Sequence, residues 1–281
     1  MDLASSDLIG HRQALELIRR IMASGRLGSA LLLVGAEGIG KREIADFIVG
    51  VIHELPAQAD VMTIERQTND KNELKKNISI DQVRQLIARL SMSSFSGGQK
   101  IGIIDGADYL SSEAANALLK TLEDPMGNVL VILLATSTAH IPATVLSRCQ
   151  TVHLPLVSTE EICDALVARG SDREDAHAIA EFAAGRPGMA LRLFADKELH
   201  KSYMTYRSNL DDLLKSSLPQ KLGQLGELSK ASKEILDEQF SVWELELHRR
   251  GAYQLLKQLM RARRAMSQNV NPTLAIEHAF I

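Results

Sequence analysis

Cysteine is almost missing from this chain: its 281 residues hold two, Cys149 and Cys163. Neither belongs to a C-x-x-C pair, and no four-ligand zinc set can be assembled from them. Two isolated thiols suit a reducing cytosol. Aromatics make up only 4%, so a core drawn from the 45% apolar residues must be aliphatic. The net charge is −3, which lacks the basic excess of a protein that coats nucleic acid by charge alone, although it leaves room for a local basic patch. Long apolar runs are absent as well. "LLLV" (31–34) and "VLVILLA" (129–135) are far too short to span a bilayer. The opening "MDLASSDLIG" is acidic where a signal peptide would be basic, so a cytoplasmic protein without a membrane partner is expected. The eight histidines are scattered with no H-E-x-x-H spacing, which assigns them no metal.

What is present has a regular order. Apolar runs at 31–34, 61–64, 100–105, 129–135 and 151–154 read as strands, and helical patterns lie at 11–24, 41–54, 79–91, 111–124 and 142–148. Strands alternating with helices imply βαβ units and a parallel sheet covered on both faces. Ser79 with Gln82, and Ser158 with Glu161, have the spacing of a capping box. Residues 65–78 are polar and read as a surface loop. After about residue 156 the strand signal stops. Residues 158–195 read as three short helices broken by "RGSD" (169–172) and "GRPG" (185–188). Residues 197–281 then run helix after helix, with breaks expected near Pro219, Gly223 and Gly226, Gly251 and Pro272. The expected division is an α/β domain at 1–156, a small helical domain at 157–196 and a larger helical domain at 197–281.

"GAEGIGKRE" (35–43) follows the first strand and precedes a helix. Gly35, Gly38, Gly40 and Lys41 match a phosphate-binding loop, in which backbone N–H groups and a helix N-terminus cradle phosphates and the lysine reaches the outer ones. The bland alternative is a glycine turn; the strand-loop-helix context favours the phosphate loop. The position after the lysine should be Ser or Thr, whose hydroxyl binds Mg²⁺, and here it is Arg42. An arginine offers no acceptor and repels a metal. "KIGIIDGADYL" (100–110) is an apolar strand ending in Asp105, which matches the metal-binding acid of a Walker B motif. The glutamate that should follow, orienting the attacking water, is Gly106, and Asp108 is not obviously placed to substitute. Read alone, this stretch is a buried strand and a turn. Together with the loop it reads as a nucleotide site that keeps its shape and lacks its chemistry.

Several stretches resemble one family: "GRLGSALLLVGAEGIGKREIA" (25–45), "ISIDQVRQLIARLSM" (78–92), "IIDGADYLSSEAANALLKTLEDP" (103–125) and "LSRCQ" (146–150) are similar to the AAA+ clamp-loader subunits of bacterial DNA polymerase III. The similarity is dense over 8–155, thins afterwards and recurs weakly at "NVNPTLAIE" (269–277). "NALLKTLEDP" with "SRC" is specific to clamp loaders; the phosphate loop alone is not. The resemblance implies an AAA+ P-loop parallel-sheet domain, a small helical lid and an all-α collar that assembles with its counterparts. It implies a replication role in a hetero-pentameric ring with gamma/tau ATPase subunits and a delta subunit, acting on a sliding clamp and, indirectly, on primed DNA. It also implies that Ser147, Arg148 and Cys149 give an arginine finger to the neighbouring subunit's ATP. An arginine suits that role because its planar fork grips phosphate oxygens and stays charged. Taken alone, an arginine just before a strand would be read as pairing with a carboxylate on its own surface. Within this motif the finger is favoured.

Departures from the family matter. A second sensing arginine in a "G-x-x-R" pattern is expected in the small helical domain, and its position holds Gly188, with Arg186 out of register and Arg192 a turn later. The first sensor falls on Thr136 or Ser137. Arg42 and Gly106 place the chain with members that do not hydrolyse ATP. Bound ADP or ATP without turnover stays open, as does a loop filled by Arg42 or a neighbouring side chain. The competing readings are an active AAA+ ATPase of the gamma/tau type, which the two departures disfavour, and a DNA-binding module using Arg249, Arg250 and "RARR" (261–264), which more often would be solvated faces. Leu255, Leu256, Leu259 and Met260 read as core or collar interface, and Cys163 as a small buried apolar side chain. Many relatives carry a four-cysteine zinc module after the phosphate-loop helix, whereas 50–64 here contain no cysteine. Elemental analysis of the purified protein should therefore find zinc far below stoichiometric; one zinc per chain would overturn this.

Overall fold

The aliphatic runs of the first half become β1 (Ala30–Val34), β2 (Val61–Ile64), β3 (Lys100–Asp105), β4 (Val129–Ala135) and β5 (Gln150–His153), one parallel sheet in the order β2-β3-β4-β1-β5. The computed structural model describes residues 8–24, 27–52, 61–68, 74–92, 99–125, 127–268 and 270–281. Every residue of β1 and β4 is buried, so these strands cannot show polar alternation; helices cover both faces. The pleat still divides them. Val129, Val131 and Leu133 point into one core, and Leu130, Ile132 and Leu134 into the other. The first core is closed by α3 (Ile80–Ser91) and α4 (Ser112–Glu123), through Val83, Leu86, Leu118 and Leu122. The second is closed by α1 (Arg12–Ala23) and α2 (Lys41–Ile52), through Leu15, Ile18, Ile44 and Ile48.

Local signals operate as their chemistry requires. Ser79 and Gln82 form a reciprocal capping box at the start of α3. At its other end the buried Lys100 folds under the helix and donates from Nζ to the Arg89 and Leu90 carbonyls at 3.3 and 3.1 Å. The cation thus meets otherwise unsatisfied C-terminal carbonyls. The helix expected at 142–148 is the single turn α5 (Ala143–Leu146), and the last two positions of the helix expected at 41–54 lie outside the described residues. Within 65–78 the described residues form two isolated bridges, Thr68 with Leu74 and Ile78 with Leu110.

The second half is helical throughout: α6 (Thr159–Val167), α7 (Arg173–Ala183), α8 (Pro187–Ala195), α9 (Lys197–Lys215), α10 (Leu218–Leu228), α11 (Lys233–Arg249), α12 (Tyr253–Ser267) and α13 (Pro272–Phe280). Two expected breaks are corrected. Gly223 and Gly226 lie inside α10, where the first-turn Pro219, the Gln220 side chain accepting from the Ser217 backbone N–H at 3.0 Å, and the buried Leu225 outweigh the cost of two glycines. In "GRPG" only the first two residues are a break, and Pro187 opens α8. Among the described residues no helix is long and apolar enough to cross a membrane.

The chain separates into two compact units, Met1–Ala165 with Gly185–Met189, and Leu166–Ala184 with Ala190–Ile281. The second unit is built around Trp243, whose ring meets Phe280 edge-on at 5.3 Å and whose indole N–H reaches the Tyr206 carbonyl at 2.7 Å. Leu259 is in this core with Leu255 and Leu256 packed against it, whereas Met260 is exposed. The basic residues of its late helices are largely spoken for. Glu246, 2% exposed, receives Arg249 at 3.0 Å and Arg207 and Arg250 at 3.4 Å. Glu181 of α7 receives Arg207 and Arg249, Arg250 also pairs with Asp211 at 2.6 Å, and Arg263 holds Asp237 and Glu244 at 3.1 Å. These arginines are neither plain solvated faces nor free for DNA phosphates; Arg261 and Arg264 are exposed.

Removing the hub leaves Arg207 and Arg249 with Glu181 and Arg250 with Asp211. The Glu246 arginines keep 32–33% of their side-chain surface in water, so Glu246→Ala should cost less than breaking a fully buried pair, about 2–3 kcal/mol. Urea unfolding followed by the fluorescence of Trp243, the single tryptophan, reads this unit directly. A midpoint unchanged from wild type would show that the network contributes no net stability.

Candidate functional site

The phosphate loop lies where β1 ends. Gly35 donates its N–H to the Ala135 carbonyl at 3.1 Å, and a Cβ there would meet the Leu154 carbonyl oxygen at 2.9 Å. Gly38 and Gly40 take φ of 74° and 103°, the left-handed region that glycine enters without strain. Ile39, fully buried between them, anchors the loop in the core. Lys41 opens α2, and its ammonium donates back to the Gly35 and Ala36 carbonyls at 2.8 and 2.9 Å. Burial lowers its pKa; the carboxylates of Asp105, Asp108, Glu37 and Glu43 work against that. Lys41, Glu37, Asp105 and Asp108 border a cavity of about 690 Å³ shared with Glu65, Arg66, Gly106, Tyr109 and Thr136, which Gly35, Gly38, Gly40 and Arg42 do not line.

Arg42 does not point idly outward. Its Nε reaches both carboxylate oxygens of Asp46 at 3.2 and 3.3 Å, one terminal nitrogen donates to Thr63 Oγ1 at 3.3 Å, and the other is 3.9 Å from Asp105. Burial pushes the Asp105 carboxyl up, and the Arg42 guanidinium is the largest influence pulling it back. The carboxylate that would be given to a divalent metal therefore already has a cationic partner, and no hydroxyl stands at position 42. This donor set does not fit magnesium.

Gly106 is the second departure, and the backbone deepens it. Its φ is 86°, and a Cβ would approach Tyr109 Cδ2 to 3.0 Å, so a glutamate at this position would be strained as well as chemically new. Asp108 does reach the cavity, and it is engaged: one carboxylate oxygen accepts from the Thr136 backbone N–H at 3.2 Å and from its hydroxyl, and the other is buried without a partner. Of the two sensor candidates, Thr136 lines the cavity, while Ser137 caps the turn at 138–140 by accepting from the Ala139 N–H at 3.1 Å.

At the position expected to hold a sensing arginine, the first turn of α8 presses backbone against the loop. The Met189 N–H donates to the Gly38 carbonyl at 3.2 Å, and a Cβ on Gly188 would meet that same oxygen at 2.9 Å. From another side the His11 ring donates from Nε2 to the Ile39 carbonyl at 2.9 Å; burial lowers the His11 pKa. Neither contact was legible in the sequence, because both join segments far apart in the chain and end on a backbone carbonyl.

Ser147, Arg148 and Cys149 do not line the cavity. Ser147 is the C-cap of α5. Cys149 is half-buried against the first core, and burial pushes its thiol up to about 11, so it packs rather than reacts. Arg148, 34% exposed, pairs with Glu123 at the end of α4, its Nε reaching Oε1 at 2.6 Å. A carboxylate partner on its own surface is thus present. Nothing local in the sequence marks Glu123 as the partner, because 25 residues separate the pair.

The family described as DNA polymerase III, delta subunit, matches residues 10–158. Curated relatives include DNA polymerase III subunit delta' of Haemophilus influenzae, 36% identical over 48% of this chain and 40% of the relative. The delta' subunit of Pseudomonas aeruginosa is 32% identical over 58% of this chain and 55% of its own length. A DNA polymerase III subunit gamma of Buchnera aphidicola is 31% identical over 56% and 46%. The chain thus spans about half the length of the curated relatives it matches. Among solved structures, a DNA polymerase III gamma subunit-related protein of Thermotoga maritima aligns over 95% of this chain and 97% of its own, with 19% identity and a TM-score of 0.54. The RuvB Holliday junction branch migration motor of that organism covers 71% and 64%, with 17% identity and a TM-score of 0.51. At these identities the two structures show the fold.

The backbone contact between Gly188 and Gly38 leaves no room for a methyl group. Gly188→Ala should lower stability by about 1–2 kcal/mol, because a backbone oxygen cannot swing aside as a side chain would. Thermal unfolding, with Gly223→Ala as a control where a Cβ meets nothing within 4 Å, checks this; equal behaviour of the two would refute it.

Proposed function

We propose a role that proceeds from membership: the chain belongs to the DNA polymerase III delta-subunit family and is a delta'-like member of the clamp-loader group. In this reading it is a non-hydrolysing subunit that helps load a sliding clamp on primed DNA and gives Arg148 as a finger to the ATP of an adjacent gamma/tau-type subunit. The gamma and tau relatives match over a comparable share of the chain, so the choice against a motor subunit rests on the site. The observation that carries it is Arg42 paired with Asp105 beside a left-handed Gly106. One residue takes up the carboxylate that a metal needs, and the backbone at the other disfavours the glutamate that activates water. Either alone would impair hydrolysis; together they remove the metal and the base.

The partners in this reading are gamma/tau-type ATPase subunits and a delta subunit in a hetero-pentamer, in the cytoplasm, with primed DNA contacted indirectly. Neither zinc nor a nucleotide is required. ADP or ATP held without turnover would rest on the loop N–H groups and Lys41, whose ammonium would have to leave the Gly35 and Ala36 carbonyls.

The test is ATP hydrolysis in a mixture of this chain with its ATPase partners, clamp and primed DNA. The isolated chain is expected to be inactive. Arg148→Ala should remove the contribution of the site it serves, where a trans-acting finger is worth on the order of 10³ or more in rate. Undiminished hydrolysis with Arg148→Ala would leave this chain a scaffold.

A further inference from the structure

The pairing of Arg148 joins two elements fixed by the same core. Glu123 is the last residue of α4, directly after Leu122, and Arg148 follows the single turn of α5, whose Val145 is in the same cluster; both apolar side chains are buried. Leu122 is tied further by its carbonyl, which accepts from Ser29 Oγ at 2.8 Å. The two charged groups are thus presented by neighbours that cannot drift. Both edges of the guanidinium are engaged. Nε and one terminal nitrogen face Glu123 Oε1, and the other terminal nitrogen donates to the Thr144 carbonyl at 2.9 Å and to Ser147 Oγ at 3.0 Å.

A fork-like grip on a phosphate needs two parallel N–H groups on one edge. Arg148 cannot offer that while held this way. The edge toward Thr144 and Ser147 is bound to its own turn, whereas the edge toward Glu123 is bound by charge, which a more highly charged phosphate can match. We propose that Glu123 is a positioning residue: it parks Arg148 on its own subunit, and a neighbour's bound phosphate displaces the carboxylate to take the finger. This rests on the finger reading above. The side chains of Glu123 and Arg148 are 51% and 34% exposed, so the latch is a light bias, screened by salt, and several-fold in effect. It lowers engagement with a neighbour that carries no nucleotide and yields once the phosphate is in place.

The test is the ATP dependence of hydrolysis in the reconstituted assembly, with wild-type chain, Glu123→Gln, Arg148→Ala and the double variant. Glu123→Gln removes the charge and keeps the size. The KM for ATP at the partner's site should fall about two- to tenfold at low salt, with kcat unchanged, because saturating phosphate already wins the competition. The difference should vanish in the Arg148→Ala background and shrink as salt is raised. An unchanged or higher KM, or a change in kcat alone, overturns the latch while Arg148→Ala remains impaired and the finger stands. If Arg148→Ala is itself without effect, the finger reading fails and the latch falls with it.

Discussion

Burial of the central strands on both faces is the constraint from which the site follows. β1 and β4 are wholly buried and β3 is buried up to Asp105, so these strands can carry polar function only where they end. In a parallel sheet those ends lie along one edge. Gly35 continues β1, Gly106 continues β3 and Thr136 continues β4, and backbone bonds from the Gly35 and Gly106 N–H groups to the Ala135 and Leu134 carbonyls align them. Open α/β sheets gather ligand chemistry at such an edge for this reason. The edge brings the phosphate loop, Asp105 and Thr136 together whatever chemistry they carry out.

At that edge the charge balance is internal. Lys41 turns its ammonium into its own loop, Arg42 lies among Asp46, Thr63 and Asp105, and Asp108 takes the Thr136 hydroxyl. Lys41, Arg42, Asp105 and Asp108 each have a partner from the chain itself, and one Asp108 oxygen remains buried without one. Pairings of this kind stabilise one conformation and remove the reason to change it.

Legibility in the sequence tracked the range of the interaction. β2, β3 and β4 were legible to the residue, and β1 and β5 within one, because an unbroken aliphatic run between polar turns has few other uses in a chain with so few aromatics. Ser79 with Gln82 was legible because the bond is three residues long. Gly223 and Gly226 misled because local propensity was set against packing, and packing of Leu225 won. The identities of Gly35 to Arg42, Asp105 and Arg148 were readable as a pattern, but their partners were not. Asp46 is one helical turn from Arg42 and was within reach of the reading; Thr63, Asp105 and Glu123 become neighbours only when the sheet and its helices assemble. The acidic network under Arg207, Arg249 and Arg250 is of the same kind, and it turned apparent basic patches into internal pairs.

The two arginines that define the site differ in one physical respect. Arg42 is held by two carboxylates and a hydroxyl, one of them a turn away on its own helix, so displacing it means breaking several contacts at once. Arg148 has one carboxylate on its charged edge, more than half exposed to water. Arg148 also donates to the Thr144 carbonyl and to Ser147 Oγ, so the difference lies in charge: its single exposed carboxylate can be traded for another anion, whereas Arg42 is shared between two. The same residue type is thus shared between two carboxylates beside the phosphate loop and held by one exposed carboxylate at the end of α5.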